Sequence, residues 1–304
     1  MFSNMVRQEQ VFPFYASYKI TTHCDRRCPF CNMHLEKVRN LETDEVFRVL
    51  DNIAGSSIFL LSMEGGDPLL RKDIGEILKY ASTKPFMLLF TTSGEQFHRI
   101  DMEEYRKYID FLHISMDEGH GNVYLYDKVK EFVKWGPVVC AQIVVRSQDM
   151  GVLKTKIRKC HEAGAKAVVM PACHIPNTED MLPDPKEFVA LVMNLKKKYP
   201  NTIIDPDRYL MDFERPHTCN AASIIIDADG SVFYPCRTLE EKPFSLLETP
   251  LNEIVQSAEA QKRRKMMRRC DRHCHWYQYF ATASFSSPAE FLGSIKPYIT
   301  NILG

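Results

Sequence analysis

Cys24-Asp25-Arg26-Arg27-Cys28-Pro29-Phe30-Cys31 places three thiols within eight residues, at the spacing CxxxCxxC. A loop this short can wrap only a compact metal centre. Three thiolates leave one iron of a four-iron, four-sulfur cluster without a protein ligand, and an open iron is a place for chemistry. The same loop has a second reading. His34 follows Cys31 with two residues between, so Cys24, Cys28, Cys31 and His34 could make a zinc site of three cysteines and one histidine. A disulfide framework fits poorly, because three cysteines this close leave one unpaired and disulfides belong to oxidising compartments.

The rest of the composition bounds these readings. With 304 residues, 45% of them hydrophobic, the chain can bury a full core as one large domain or a large one with a small appendage. Lys+Arg and Asp+Glu are 39 each, so no overall basic field argues for nucleic acid or an anionic membrane. Met1 to Gln10 carry no apolar signal-peptide core, and no run of about eighteen apolar residues marks a membrane span. The expected location is the cytoplasm, where ten cysteines suit thiolate metal ligands better than disulfides.

Along the chain, strand-like and helix-like patterns alternate in the rhythm of βα units. Tyr18 to Thr22 reads as a first strand delivering the cysteine loop. Val46, Phe47, Val49, Leu50 and Ile53 then share one helical face, with Thr43 as the N-cap. Ile58 to Met63 is a nearly continuous apolar run, as expected of a strand buried on both faces of a parallel sheet. Further strands read at Phe86 to Thr92, Asp110 to Met116, Val138 to Val145 and Ala167 to Met170. Six such units predict an α/β fold built as a partial (βα)6 barrel rather than a closed eight-stranded one.

The strand ends hold a second constellation. Glu64-Gly65-Gly66-Asp67-Pro68 follows the second strand, where two glycines let backbone approach a ligand closely and Pro68 fixes the turn. Thr91-Thr92-Ser93-Gly94 ends the third strand, Ser115-Met116-Asp117 the fourth and Arg146 the fifth. Together with the aromatic Phe30 before the third cysteine, these segments resemble the cluster loop and the GGEP segment of the radical S-adenosylmethionine (radical SAM) enzymes. Asp67 stands where that family usually has Glu. The resemblance implies a [4Fe-4S] cluster on Cys24, Cys28 and Cys31, with SAM on its open iron. It also implies cofactor contacts from Phe30, Gly65, Gly66, Asp67, Pro68, Thr92, Ser93, Ser115, Asp117 and Arg146.

Of the remaining cysteines, Cys140 in a strand and Cys160 in a helix read as small buried hydrophobes. Cys173, at the end of the sixth strand, is a candidate substrate contact. The other four form a pattern: Cys219, a β-hairpin of Ser223 to Asp227 and Ser231 to Pro235 around Ala228-Asp229-Gly230, then Cys236, Cys270 and Cys274. The spacing C-x16-C and C-x3-C also suits a zinc knuckle. It resembles the "twitch" form of the auxiliary-cluster domain of SPASM-type radical SAM proteins, which implies a second [4Fe-4S] cluster. Residues 1–210 then form the barrel, and residues 211–304 a small hairpin-plus-helix auxiliary domain. Lys262, Arg263, Arg264, Lys265, Arg268 and Arg269 make a basic run, read as a solvated helix face or a contact for an acidic group. The apolar stretch 285–303 docks on its own domain or makes a peripheral membrane contact.

The resemblance implies an enzyme that takes one electron from an external donor and splits SAM to methionine and a 5′-deoxyadenosyl radical. That radical then removes a hydrogen atom from a small-molecule or lipid-precursor substrate. The second cluster would serve as electron acceptor or structural element. Two readings from other classes are a non-catalytic iron-sulfur carrier, which does not need the Gly65-Gly66 platform, and a zinc-binding nucleic-acid module, which would purify colourless.

Overall fold

The computed structural model describes residues 11–172, 179–214, 219, 221–239, 241–270 and 274–283. Cys173 and the stretch 285–303 lie outside them. In chain order the barrel part comprises β1 (Tyr15–Lys19), α1 (Thr43–Ala54), β2 (Leu60–Glu64), α2 (Ile74–Ala81), β3 (Met87–Thr92), α3 (Met102–Tyr105) and β4 (Phe111–Ser115). It continues with α4 (Val129–Val133), β5 (Val138–Val145), α5 (Leu153–Ala163), β6 (Lys166–Pro171), α6 (Pro185–Lys198) and α7 (Asp207–Met211). The tail adds β7 (Ser223–Ile226), β8 (Ser231–Phe233), β9 (Phe244–Ser245), α8 (Leu251–Gln256), α9 (Ala258–Arg268) and α10 (Tyr277–Ala283).

The strands form one sheet in the order β6-β5-β4-β3-β2-β1-β7-β8-β9. Neighbours from β1 to β6 are parallel and in sequential order, the arrangement that puts the crossover helices on one face as in a barrel. Because side chains alternate along a strand, each strand divides between two faces. Ala16, Tyr18, Leu61, Met63, Leu88, Phe90, Leu112 and Ile114 are at most 1% exposed. They share one core with helix residues such as Val49, Leu50, Ile53, Ile77 and Leu78. The opposite, inner face carries Lys19, Glu64, Thr91, His113 and Gln142, a far more polar set.

Two local readings change. The first strand is Tyr15–Lys19 rather than Tyr18 to Thr22. Beyond Lys19 the backbone keeps pairing with the β2 end, but through irregular bonds: Ile20 N–H to Glu64 O, Gly66 N–H to Thr21 O and Asp67 N–H to His23 O, each 2.8 Å. The α1 N-cap is Glu42, which forms a capping box with Glu45. Thr43 instead donates its hydroxyl to Asp73 at 2.7 Å.

The tail does not stand apart from the sheet. β7 pairs in parallel with β1 from Tyr15↔Ser223 to Tyr18↔Ile226, and the β7–β8 hairpin extends that edge antiparallel. Gly230, at φ +79°, makes the turn that the sequence predicts. Two of the six residues of the basic run are turned inward. Arg263 is 5% exposed and pairs with Glu259 and Glu241, while Arg264, equally buried, donates to Tyr234 Oη at 2.9 Å and Val255 O at 2.7 Å. Those two arginines pin α9 to the hairpin; Lys262, Lys265, Arg268 and Arg269 are exposed.

Candidate active and metal site

The cysteine loop leaves β1 and is held against the loop that leaves β2. A Cβ on Gly65, whose φ is +152°, would lie 2.3 Å from Thr21 O, and one on Gly66 would lie 1.9 Å from His23 O and 3.0 Å from Cys24 Cβ. The glycines are therefore required first by the cysteine loop itself, which approaches their backbone too closely for any side chain. The sequence reading assigned that closeness to a ligand.

The three thiols lie within electrostatic reach of one another. Burial pushes the Cys24 thiol up to about 11, with Cys31 and Cys28 adding to the rise; burial also raises Cys31, with Cys28 contributing. Soft thiols that raise one another in this way suit a metal centre, which supplies the missing positive charge. Among the described residues, no three Cys, His, Asp or Glu side chains are drawn close enough together to hold one metal ion. A cavity of about 280 Å³ opens beside Cys24, lined also by Thr22, His23, Asp25, His34, Glu36 and Leu70.

The loops after β2, β3 and β4 are tied into one lattice. The Asp67 carboxylate, 1% exposed, accepts from the Thr92 hydroxyl at 2.8 Å, from Ser93 N–H at 3.1 Å and from Leu69 N–H at 3.1 Å. Asn122, which the sequence reading missed, donates its amide to Ser93 O and Ser115 O, each at 2.7 Å. Asp117 is fully buried and accepts from Val144 N–H at 3.0 Å and from His120 N–H and ring Nδ1 at 2.9 Å. Burial alone would raise its carboxyl, but the His120 hydrogen bonds outweigh it and hold the group below the usual range. His120 meets the Phe30 ring edge-on at 5.3 Å, and a Cβ on Gly119 would lie 2.0 Å from that ring. The β4 loop thus packs directly on the cysteine loop. Arg26 reinforces the contact by pairing with Glu95 at 2.5 Å and donating to His120 O at 3.3 Å. No spacing rule pointed to His120, Asn122 or Arg26, because each also makes a contact with a remote loop: His120 with Phe30, Asn122 with Ser93 and Arg26 with Glu95.

Phe30, Gly65, Gly66, Asp67, Pro68, Thr92, Ser93, Ser115 and Asp117 are therefore brought together at the strand ends. Arg146 lies at the β5 end, where its guanidinium is taken up by Asp149 at 2.5 and 3.1 Å. On the inner face Glu64 accepts from the hydroxyls of Ser17 and Ser62, and burial raises its carboxyl. His113 Nδ1 lies 2.9 Å from the Gln142 side-chain amide. Cys140 and Cys160 are buried, as the sequence predicts.

In the tail, burial raises Cys219, and Cys274, Cys236 and Cys270 each add to the rise, so the four thiols feel one another's charge. None of the nine described cysteines forms a disulfide. Among the described residues, no helix is long and apolar enough to cross a membrane.

The sequence profile of the Radical SAM superfamily matches residues 18–189. PqqA peptide cyclase of Granulibacter bethesdensis is 30% identical over 104 residues, a match that covers 33% of this chain and 28% of the relative. The chain thus spans under a third of that relative's length. Among solved structures, Streptococcus suis SuiB bound to its precursor peptide SuiA superposes with a TM-score of 0.68 at 15% identity, covering 86% of this chain and 68% of SuiB. The protein anSMEcpe, with bound AdoMet and the Cp18Cys peptide, gives 0.63 at 15% identity, covering 95% and 99%. At these identities the likeness is one of fold.

Proposed function

The chain belongs to the radical SAM superfamily, and from that premise we propose that it is a radical enzyme whose substrate is a peptide. The observation that carries the reading is the packing of the segment entering the cysteine loop onto the Gly65-Gly66-Asp67 turn, where Gly66 N–H donates to Thr21 O and Asp67 N–H to His23 O, each at 2.8 Å. Cys24, Cys28 and Cys31 would hold a [4Fe-4S] cluster, which when bound would supply the one-electron reduction of SAM on which radical chemistry depends. The chain's own residues hold the cysteine loop rigid and present fixed backbone and polar groups at the strand ends. They also surround the inner face with hydrogen-bonding side chains. The tail cysteines Cys219, Cys236, Cys270 and Cys274 are proposed to hold a second [4Fe-4S] cluster, supported by their mutual electrostatic reach.

A peptide replaces the small molecule or lipid precursor expected from the sequence. Its support is that the relatives named above act on or were solved with peptides. The polar inner face, with Lys19, Glu64, His113 and Gln142, suits the amides of a peptide better than the chain of a lipid.

The test is anaerobic reconstitution, then dithionite and SAM, with 5′-deoxyadenosine measured with and without a synthetic peptide library. Release of 5′-deoxyadenosine together with a SAM-dependent mass change in a peptide supports the reading. No 5′-deoxyadenosine from iron-loaded protein sinks the radical reading. A mass change confined to a lipid or small-metabolite fraction sinks the peptide assignment alone.

A further inference from the structure

Arg237 directly follows Cys236 in the tail, yet its guanidinium crosses to the first cysteine loop and donates to Glu36 Oε1 at 2.5 Å. The other Glu36 oxygen takes the Lys19 ammonium at 3.1 Å. Lys19 also lies 3.6 Å from Asp227, which pairs with Lys242 at 2.7 Å. On the tail side, the guanidinium sits 5.5 Å from the ring of Trp276 and 5.6 Å from that of Phe233. Trp276 is the second residue after Cys274. The main-chain N–H of Arg237 donates to the Tyr279 hydroxyl at 2.8 Å. Aromatic rings of the tail thus fix the side chain, while the first loop receives its charge.

That charge reaches the metal site. Glu36, which takes that guanidinium, lines the cavity that opens beside Cys24. An arginine is charged at every relevant pH, so its field is a fixed property of the fold. A cluster gains negative charge when it is reduced, so a fixed cation nearby favours the reduced form and a fixed anion opposes it.

We propose that Arg237 is a positioning residue through which the tail sets the reduction potential of the cluster on Cys24, Cys28 and Cys31, with Glu36 as its opposing charge. The inference rests on the radical SAM reading of the first loop and requires no metal in the tail.

The experiment uses the full chain, anaerobically reconstituted with iron and sulfide. A redox titration follows the electron paramagnetic resonance signal that SAM perturbs, and iron content is measured for each variant. Arg237→Gln lowers the midpoint potential, Arg237→Lys restores it toward wild type by keeping the charge, and Glu36→Gln raises it. A wild-type chain that loads iron but shows no SAM-sensitive signal defeats the radical SAM reading, and this proposal with it. Loaded variants with wild-type potentials, or shifts of the same sign in Arg237→Gln and Glu36→Gln, overturn the role of Arg237 alone. If Arg237→Gln does not load iron, Glu36→Gln decides, since it leaves the tail side of Arg237 intact.

Discussion

The Thr92 hydroxyl donates to both oxygens of the Asp67 carboxylate, at 2.8 and 3.0 Å, so the loops after β2 and β3 are clamped by one buried acid. Ser93 adds its own N–H and hydroxyl to the same group. The carboxylate is consumed by the protein, and its task is to hold the platform on which the cysteine loop rests.

Asp67→Ala strips four donors of their acceptor inside the fold, and the cost should be of the order of 3 kcal/mol. Urea unfolding reads this directly. Asp67→Asn keeps an acceptor oxygen and should lose less. Equal stability of the alanine variant and wild type would mean that water replaces the carboxylate and that the clamp is dispensable.

Gly66→Ala should lower the iron bound by the first loop, because the new methyl would stand 1.9 Å from His23 O and push the residues around Cys24. Iron analysis after reconstitution provides the check. Full iron loading with SAM binding lost would restore the simpler role, in which the glycine serves the ligand alone.

Burial pushes the His113 imidazole down from 6.5 to about 4. Between those values the unfolded chain takes up the proton and the folded chain does not. The contribution is neutral above pH 6.5, and stability is lost as the pH falls, by up to roughly 3 kcal/mol near pH 4. Asp205 works in the opposite sense. Burial raises its carboxyl from 3.8 to about 7, so over that range the folded chain keeps the proton and gains stability as the pH falls. Comparing His113→Gln with wild type isolates the imidazole. From pH 7 to pH 5 the variant should gain about 2 kcal/mol relative to wild type in urea titrations. A difference that stays constant with pH would show that the ring is solvated.

Reconstituted wild type should carry about eight irons, four per cluster. Cys24→Ala with Cys28→Ala and Cys31→Ala should remove about half and abolish 5′-deoxyadenosine. Cys270→Ala with Cys274→Ala should remove the other half. An iron content unchanged by the tail substitutions would leave those cysteines without a cluster.

Contiguous chemistry was legible in the sequence. The CxxxCxxC spacing, the Gly-Gly turn after an apolar run, the six βα units and the Asp229-Gly230 hairpin are all set by neighbours a few residues apart, and local sterics with side-chain period suffice to read them. The end of β1 was misplaced for a related reason. Ile20 to His23 look like strand but bond to the Gly65-Gly66 turn in a way that only the partner loop defines.

What the tertiary structure decided is pairing across the sheet. Asp117 could be read as a ligand for the cofactor, but His120 and Val144 occupy it. The run from Lys262 to Arg269 could be read as a solvated face, but Glu241, Glu259 and Tyr234 draw Arg263 and Arg264 inward. Arg237 could not be assigned at all until β7 was laid beside β1, which carries the tail across to Glu36. A charge is visible in a sequence, but its effect depends on the distance to its partner and on the dielectric around both, and those are set only when remote segments pack together.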